Sequence, residues 1–229
     1  MSTWLTRPEK KSSNPAAKFL EWKSNDKCFA YWDKEKKENV QIQLPLKFVI
    51  IEHYHTVKGW NDASESGIYA NEVLFTGSEE MTVRSFKGGE IAKGIYKDIK
   101  AKVNAAGGKY HRSIYAVTKD LEIINISLKG ASVRSYSDFI EKETDRVFTT
   151  NWIEVSEFEE GKKGSVKYTT PIFKKSDPIK DVNKIQPFAE ILQTYMNDYR
   201  EVSKDRVNSE VDKYDAKHAE PEESGEVDF

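Results

Sequence analysis

The segment from residue 40 to residue 51 constrains the fold most, because it is the most strand-like part of the chain. Its first half alternates apolar with other residues, at Val40, Ile42, Leu44 and Leu46. The run from Phe48 to Ile51 is continuously apolar, which is typical of a strand buried on both faces. Pro45 cannot donate a ladder hydrogen bond, so we expect an edge position or a bulge there. The pattern predicts a long strand bent in its middle, as a small closed barrel requires.

The elements around this strand set the order of the predicted fold. Short strands are predicted at residues 18–23, 28–33, 67–75, 81–86, 111–117, 121–128, 151–158 and 165–173, with a loop at 52–66. Helices are predicted at 90–106, where apolar residues recur every four positions, at 131–142 and at 188–202. The order from residue 40 is therefore three strands, a helix and two strands. That order predicts a mainly β protein with a few helices: a five-stranded OB-fold barrel with an extra C-terminal hairpin and helix.

Positive charge is concentrated between Met81 and Lys119. This stretch holds nine Lys or Arg and two acids, a net charge of +7, although the whole chain carries −2. Phe86, Tyr96 and Tyr110 are among the rings interleaved with those charges. Cations along a groove replace condensed counterions on a nucleic acid, and exposed rings stack on unpaired bases. The stretch therefore predicts a surface for single-stranded nucleic acid.

Candidate nucleic-acid-binding residues follow from this pattern and from the flanking strands. They are Trp60, Tyr69, Arg84, Phe86, Lys87, Lys93, Lys97, Lys109, Tyr110, Arg112, Tyr115, Lys119, Lys129 and Arg134. For any single ring, such as Phe86 or Tyr115, a place in the core is the more ordinary interpretation. For the clustered lysines we favour nucleic acid over a merely soluble surface.

Signs of other chemistry are weak in this sequence. His53 and His55 would share one face of a strand, but no further ligands complete a metal set, and Cys28 has no partner. No catalytic triad, phosphate loop or paired-carboxylate motif stands out. We therefore predict a non-enzymatic protein without metal or cofactor. The lone cysteine, the lack of an apolar run long enough for a bilayer and the polar start of the chain favour the cytoplasm.

The two ends of the chain differ from the middle. Residues 1–15 read as a flexible basic arm, residues 16–200 as the OB-fold-like domain and residues 201–229 as an acidic, largely disordered tail of net charge −6. A tethered anion competes with nucleic acid for a cationic groove. A terminal Phe also fits a small pocket on another protein, which makes Glu226, Asp228 and Phe229 candidate partner-binding residues. An ordinary solubility tail is the plain alternative.

Three short segments resemble phage single-stranded DNA-binding proteins. They are the tip EPEESGEVDF (220–229), NPAAKF (14–19) and GGKY (107–110). The resemblance implies sequence-independent single-stranded DNA binding in replication, recombination and repair, within a host cytoplasm. It also implies that the tail contacts a polymerase, helicase or primase. A phage structural or protein-interaction module and an RNA-binding regulator stay open as alternatives, and so does a homodimer.

Deletion of residues 218–229 tests the role of the tail. The deleted segment holds five acids and no Lys or Arg. We expect its loss to tighten oligo-dT binding, because a competing anion is removed, and to abolish contact with a replication partner. Fluorescence titration of both proteins checks the affinity. Equal affinities would leave only the solubility interpretation.

Overall fold

The computed structural model describes residues 13–143 and 147–203. Most of the predicted arm at 1–15 and nearly all of the tail at 201–229 lie outside the described residues. The described part is mainly β, as predicted, with a few helices. None of its helices is long and apolar enough to cross a membrane.

Eleven strands and four α-helices form the described part of the chain. The strands are β1 (Lys18–Lys23), β2 (Cys28–Asp33), β3 (Glu38–Ile42), β4 (Leu46–Asn61), β5 (Ser66–Ala70), β6 (Glu80–Ser85), β7 (Gly89–Ile95), β8 (Gly108–Thr118), β9 (Ile123–Lys129), β10 (Asn151–Lys163) and β11 (Val166–Pro178). The helices are α1 (Tyr96–Ala105), α2 (Ala131–Lys142), α3 (Val147–Thr150) and α4 (Gln186–Ser203). A short 3₁₀ turn at Val182–Lys184 precedes α4.

The strands form one mixed sheet in the order β3-β2-β1-β9-β8-β4-β5-β6-β7. The β1–β9 pair is parallel and the other pairs are antiparallel. The hairpin β10–β11 joins through the first residues of β4. Since β3 and β7 end this path, the described sheet is open, and the closed five-stranded barrel that we expected is not shown.

Three sequence predictions about individual strands and helices differ from the structure. The expected loop at 52–66 is mostly strand, because β4 continues to Asn61 and pairs with both β8 and β5. The expected helix at 90–106 begins only at Tyr96, and its first half is β7, paired with β6. Gly94 has a φ of +145°, which a right-handed helix cannot accommodate. The expected strand at 40–51 is divided at Pro45 into β3 and β4.

The two sides of the central sheet have different covers. One side, which we call the hairpin side, packs Leu20, Ile114 and Ile126 against α2 and the hairpin β10–β11. The other side, the α4 side, packs Val49 and Tyr115 against α4. Successive residues of a strand point to opposite sides, so the register of β4 and β8 decides which functional side chains lie together.

The loop between β2 and β3 offers a test of local strain. Lys37 has a φ of 56°, and its N–H donates to the Asp33 carbonyl at 2.8 Å. A left-handed residue with a Cβ is strained, so we expect Lys37→Gly to raise the free energy of unfolding by about 0.5–1 kcal/mol. Urea denaturation measures the change. Lys36→Gly, one residue earlier, is the control. An equal effect of the two variants would show that the backbone of Lys37 is not specifically strained.

Candidate nucleic-acid interface

Basic and aromatic side chains meet on the α4 side, beyond the apolar area that α4 covers. The register pairs Lys58 with Lys109 and with Tyr69, pairs His111 with Lys129, and pairs Tyr69 with Arg84. We call this surface the basic face, and it consists of Lys23, Lys58, Trp60, Tyr69, Arg84, Phe86, Lys109 and Lys129. Each of these side chains is half-buried. Lys and Arg side chains in such positions commonly pack their stems and keep the charged end in water.

A pair of rings lies beside these cations. The rings of Tyr69 and Phe86 are 4.5 Å apart between centroids and tilted by 32°. Trp60 shares their side of the sheet, because it lies two residues beyond Lys58 on β4 and opposite Gly67 on β5. Half-exposed rings on a basic surface are the kind of group on which unpaired bases stack.

Two cations near the β6–β7 edge already have carboxylate partners. Arg84 lies 3.7 Å from Glu90, and Lys93, opposite Thr82, lies 3.9 Å from Glu80. The carboxylates are about half exposed, so these pairs contribute little and can exchange for another anion. Lys87 lies in the turn between β6 and β7.

Glu21 and His111 lie among the lysines on the β1–β9–β8 part of the basic face. Burial raises the pKa of Glu21, but the charges of Lys23, Lys58 and Lys129 outweigh this effect and lower the pKa overall. Burial lowers the pKa of His111 to about 3, with help from the charge of Lys58. At neutral pH this part of the face therefore holds a carboxylate and an uncharged imidazole among lysines.

Sequence reasoning missed Glu21, Lys23, Lys58 and His111 as parts of this surface. Lys58 was missed because residues 52–66 were expected to be a loop, which hid the alternation of β4. His111 lies in the strand expected at 111–117, but it was not considered as part of this surface. Glu21 and Lys23 reach the face through the parallel β1–β9 pair, which joins segments about a hundred residues apart. No local pattern reveals such a pairing, whereas the alternation along β4 was a usable signal.

Other predicted residues lie on the hairpin side instead. Tyr110 and Arg112 alternate with Lys109 and His111 on β8, so they point away from the basic face. Lys97 lies on α1, which packs its Val103 against Val57 of the same side. The structure therefore divides the predicted interface between two sides of one sheet.

Arg112 lies in an aromatic and imidazole cluster. Its Nη1 is 2.9 Å from Nδ1 of His55, which the Tyr110 hydroxyl also contacts. Nδ1 of His53 is 3.0 Å from the Tyr136 hydroxyl. Burial, and then the charge of Arg112, lowers the pKa of His53 to about 4 and that of His55 to about 3. Both imidazoles are therefore neutral at physiological pH.

Three further candidates lie elsewhere. Tyr115 is 1% exposed and its hydroxyl donates to Glu72 at 3.0 Å, so its ring packs in the core. Lys119 lies in the β8–β9 turn over the Trp152 ring, at 6.0 Å. Arg134 lines a cleft of about 640 Å³ between α2 and the hairpin β10–β11. Glu226, Asp228 and Phe229 lie outside the described residues.

The described residues contain no group of three or more His, Cys, Asp or Glu side chains placed to hold a metal ion. The histidines at 53 and 55 have Tyr136, Tyr110 and Arg112 as their neighbours. What the basic face does offer is a group of half-buried lysines, a pair of tilted rings in contact and a buried imidazole. Comparison with known proteins finds no matching family model, no similar curated protein and no similar solved structure, so the assignment depends on this geometry and on the sequence.

Proposed function

We propose that this protein binds single-stranded DNA without sequence preference through the basic face. The observation that carries the proposal is the meeting of Lys58, Lys109 and Lys129 with the Tyr69–Phe86 ring pair on one side of the sheet. The resemblance of the tail to those of phage single-stranded DNA-binding proteins supports a role in replication, recombination and repair. The protein is proposed to act as a binder and not as an enzyme.

Two physical terms provide the affinity. Lysine ammonium groups along the face neutralise phosphates and release their counterions, which makes binding strongly dependent on salt. The Tyr69 and Phe86 rings stack on bases, a contact worth about 1–3 kcal/mol per base. Bases in a duplex are stacked on each other and cannot also stack on these rings, so the protein should bind single strands more tightly than duplex.

The position of α4 supports competition by the tail. The backbone N–H of Glu72 donates to the Tyr199 hydroxyl near the end of α4, at 3.3 Å. The charge of Lys58 acts on the same Glu72, whose pKa burial raises. The last turns of α4 therefore lie on the side that carries the basic face. The acidic segment that follows is proposed to compete there with DNA and to recruit replication proteins through Glu226, Asp228 and Phe229.

Removal of two lysines tests the electrostatic term. We expect Lys58→Ala with Lys109→Ala to weaken oligo-dT binding roughly five- to tenfold at low salt, because two phosphate contacts are lost. The slope of log K against log salt should become shallower by about 1.4, at roughly 0.7 per phosphate on a single strand. Fluorescence titration at several salt concentrations measures both quantities.

The matched control is Lys162→Ala with Lys167→Ala. These two lysines are exposed and face each other in the hairpin β10–β11, which packs on the opposite side of the sheet. The control changes the net charge by the same amount and should leave the affinity nearly unchanged. Equal losses in the two double variants would contradict the proposed face, and tighter binding to an RNA oligomer than to DNA would favour the RNA-binding alternative.

Loss of one ring tests the stacking term. Phe86→Ala should weaken oligo-dT binding by about 1–3 kcal/mol without changing the salt slope, because stacking involves no counterions. Isothermal titration at two salt concentrations separates these effects. Phe158→Ala, which removes a half-buried ring of the hairpin β10–β11, is the comparison. If Phe86→Ala binds as tightly as Phe158→Ala, the ring pair does not contact bases.

A further inference from the structure

One carboxylate, Glu21, and one imidazole, His111, lie among the lysines of the basic face. Glu21 is opposite Ser127 in the parallel β1–β9 pair, and its Oε2 is 3.3 Å from Nζ of Lys23. His111 is opposite Lys129 in the next pair, and its Nδ1 is 2.9 Å from the Ser127 Oγ. Ser127 is therefore a neighbour of both side chains: it lies opposite Glu21 and contacts the His111 ring.

The His111 ring has an unused polar atom. The residue is 4% exposed, and its Nε2 is buried with no hydrogen-bond partner in the described structure. In the tautomer in which Ser127 donates to Nδ1, the ring proton lies on Nε2. A buried donor without an acceptor is costly, and native proteins rarely keep one without a reason. An acceptor that arrives with a ligand would remove this cost.

The charges around His111 favour an anionic acceptor. Lys58 and Lys129 both act electrostatically on the ring and on Glu21. Glu21 stays ionised at neutral pH, because these lysines and Lys23 offset the effect of its burial on the pKa. The free protein thus already holds one anion at this place, and it is a side chain of the protein itself.

We propose that Lys58, Lys129 and Nε2 of His111 form a subsite for one phosphate group. In the free protein the Glu21 carboxylate interacts with these lysines, and an entering phosphate competes with Glu21 for them. Phosphate oxygens accept from ammonium groups and from an imidazole N–H alike. The inference depends on the proposed function for the source of the phosphate, a DNA strand. Binding of a phosphate group at the subsite does not require that the phosphate belongs to DNA.

Inorganic phosphate tests the site without DNA. Titration at neutral pH, against sodium chloride of equal ionic strength, should shift the imidazole ¹⁵N and ¹H NMR signals of His111. His53 and His55 lie on the hairpin side and serve as internal controls whose signals should stay in place. Saturable shifts confined to His111 support the subsite. No shift at His111, or equal shifts at all three rings, would overturn it.

Glu21→Gln tests the resident anion. The variant keeps the shape of the side chain and removes its charge, so oligo-dT binding should tighten roughly two- to fivefold, the range that partly exposed charge pairs contribute. Glu159→Gln on the hairpin β10–β11 makes the same chemical change on the opposite side and should have no effect. Unchanged binding by Glu21→Gln would refute the competition.

The two proposals can fail separately. If oligo-dT does not bind but phosphate shifts the His111 signals, the subsite stands and the single-stranded DNA function fails. If oligo-dT binds and depends on Lys58 and Lys109, but neither phosphate nor Glu21→Gln has an effect, the function stands and the subsite fails.

Discussion

The antiparallel pairing of β4 with β8 is the interaction on which the rest of the structure depends. It runs from Phe48 opposite Thr118 to Gly59 opposite Gly108, with one irregularity between Ile50 and Glu52. All other strand pairs of the central sheet build outward from these two strands. A shift of one residue in this register would turn every side chain to the other side, and so would mix the basic face with the core.

Much of the fold could be predicted because it depends on local patterns. Helix α2 and the β8–β9 hairpin follow from periodicity and turn residues, and both are found near their expected bounds. Residues 89–95 were beyond local reasoning, since Ile91 and Ile95 fit a helix period while pairing with β6 makes the segment a strand. Tertiary pairing outweighed a modest local preference there.

The candidate site likewise has a part that could be predicted from the sequence and a part that depends on strand pairing. Arg84, Phe86, Lys109 and Lys129 could be identified from the clustering of charge and rings, and the register places them on one side. That Lys109, and not Tyr110, shares a side with Lys58 could not be predicted without the register of β4 and β8. Charge counts along a sequence do not distinguish the two sides of a strand, whereas pairing does.

The cluster around Arg112 has a consequence for the opposite side of the sheet. Its neighbours His53 and His55 are uncharged at physiological pH, and no ion pair to Arg112 is found in the described structure. Glu52 acts electrostatically on the same Tyr136 that Arg112 contacts, but it forms no ion pair with Arg112 in the described structure. The poorly polarisable sheet between the two sides screens the charge of Arg112 less than water would. The charge of Arg112 thus adds to the positive potential of the proposed binding surface, which Arg112 does not touch.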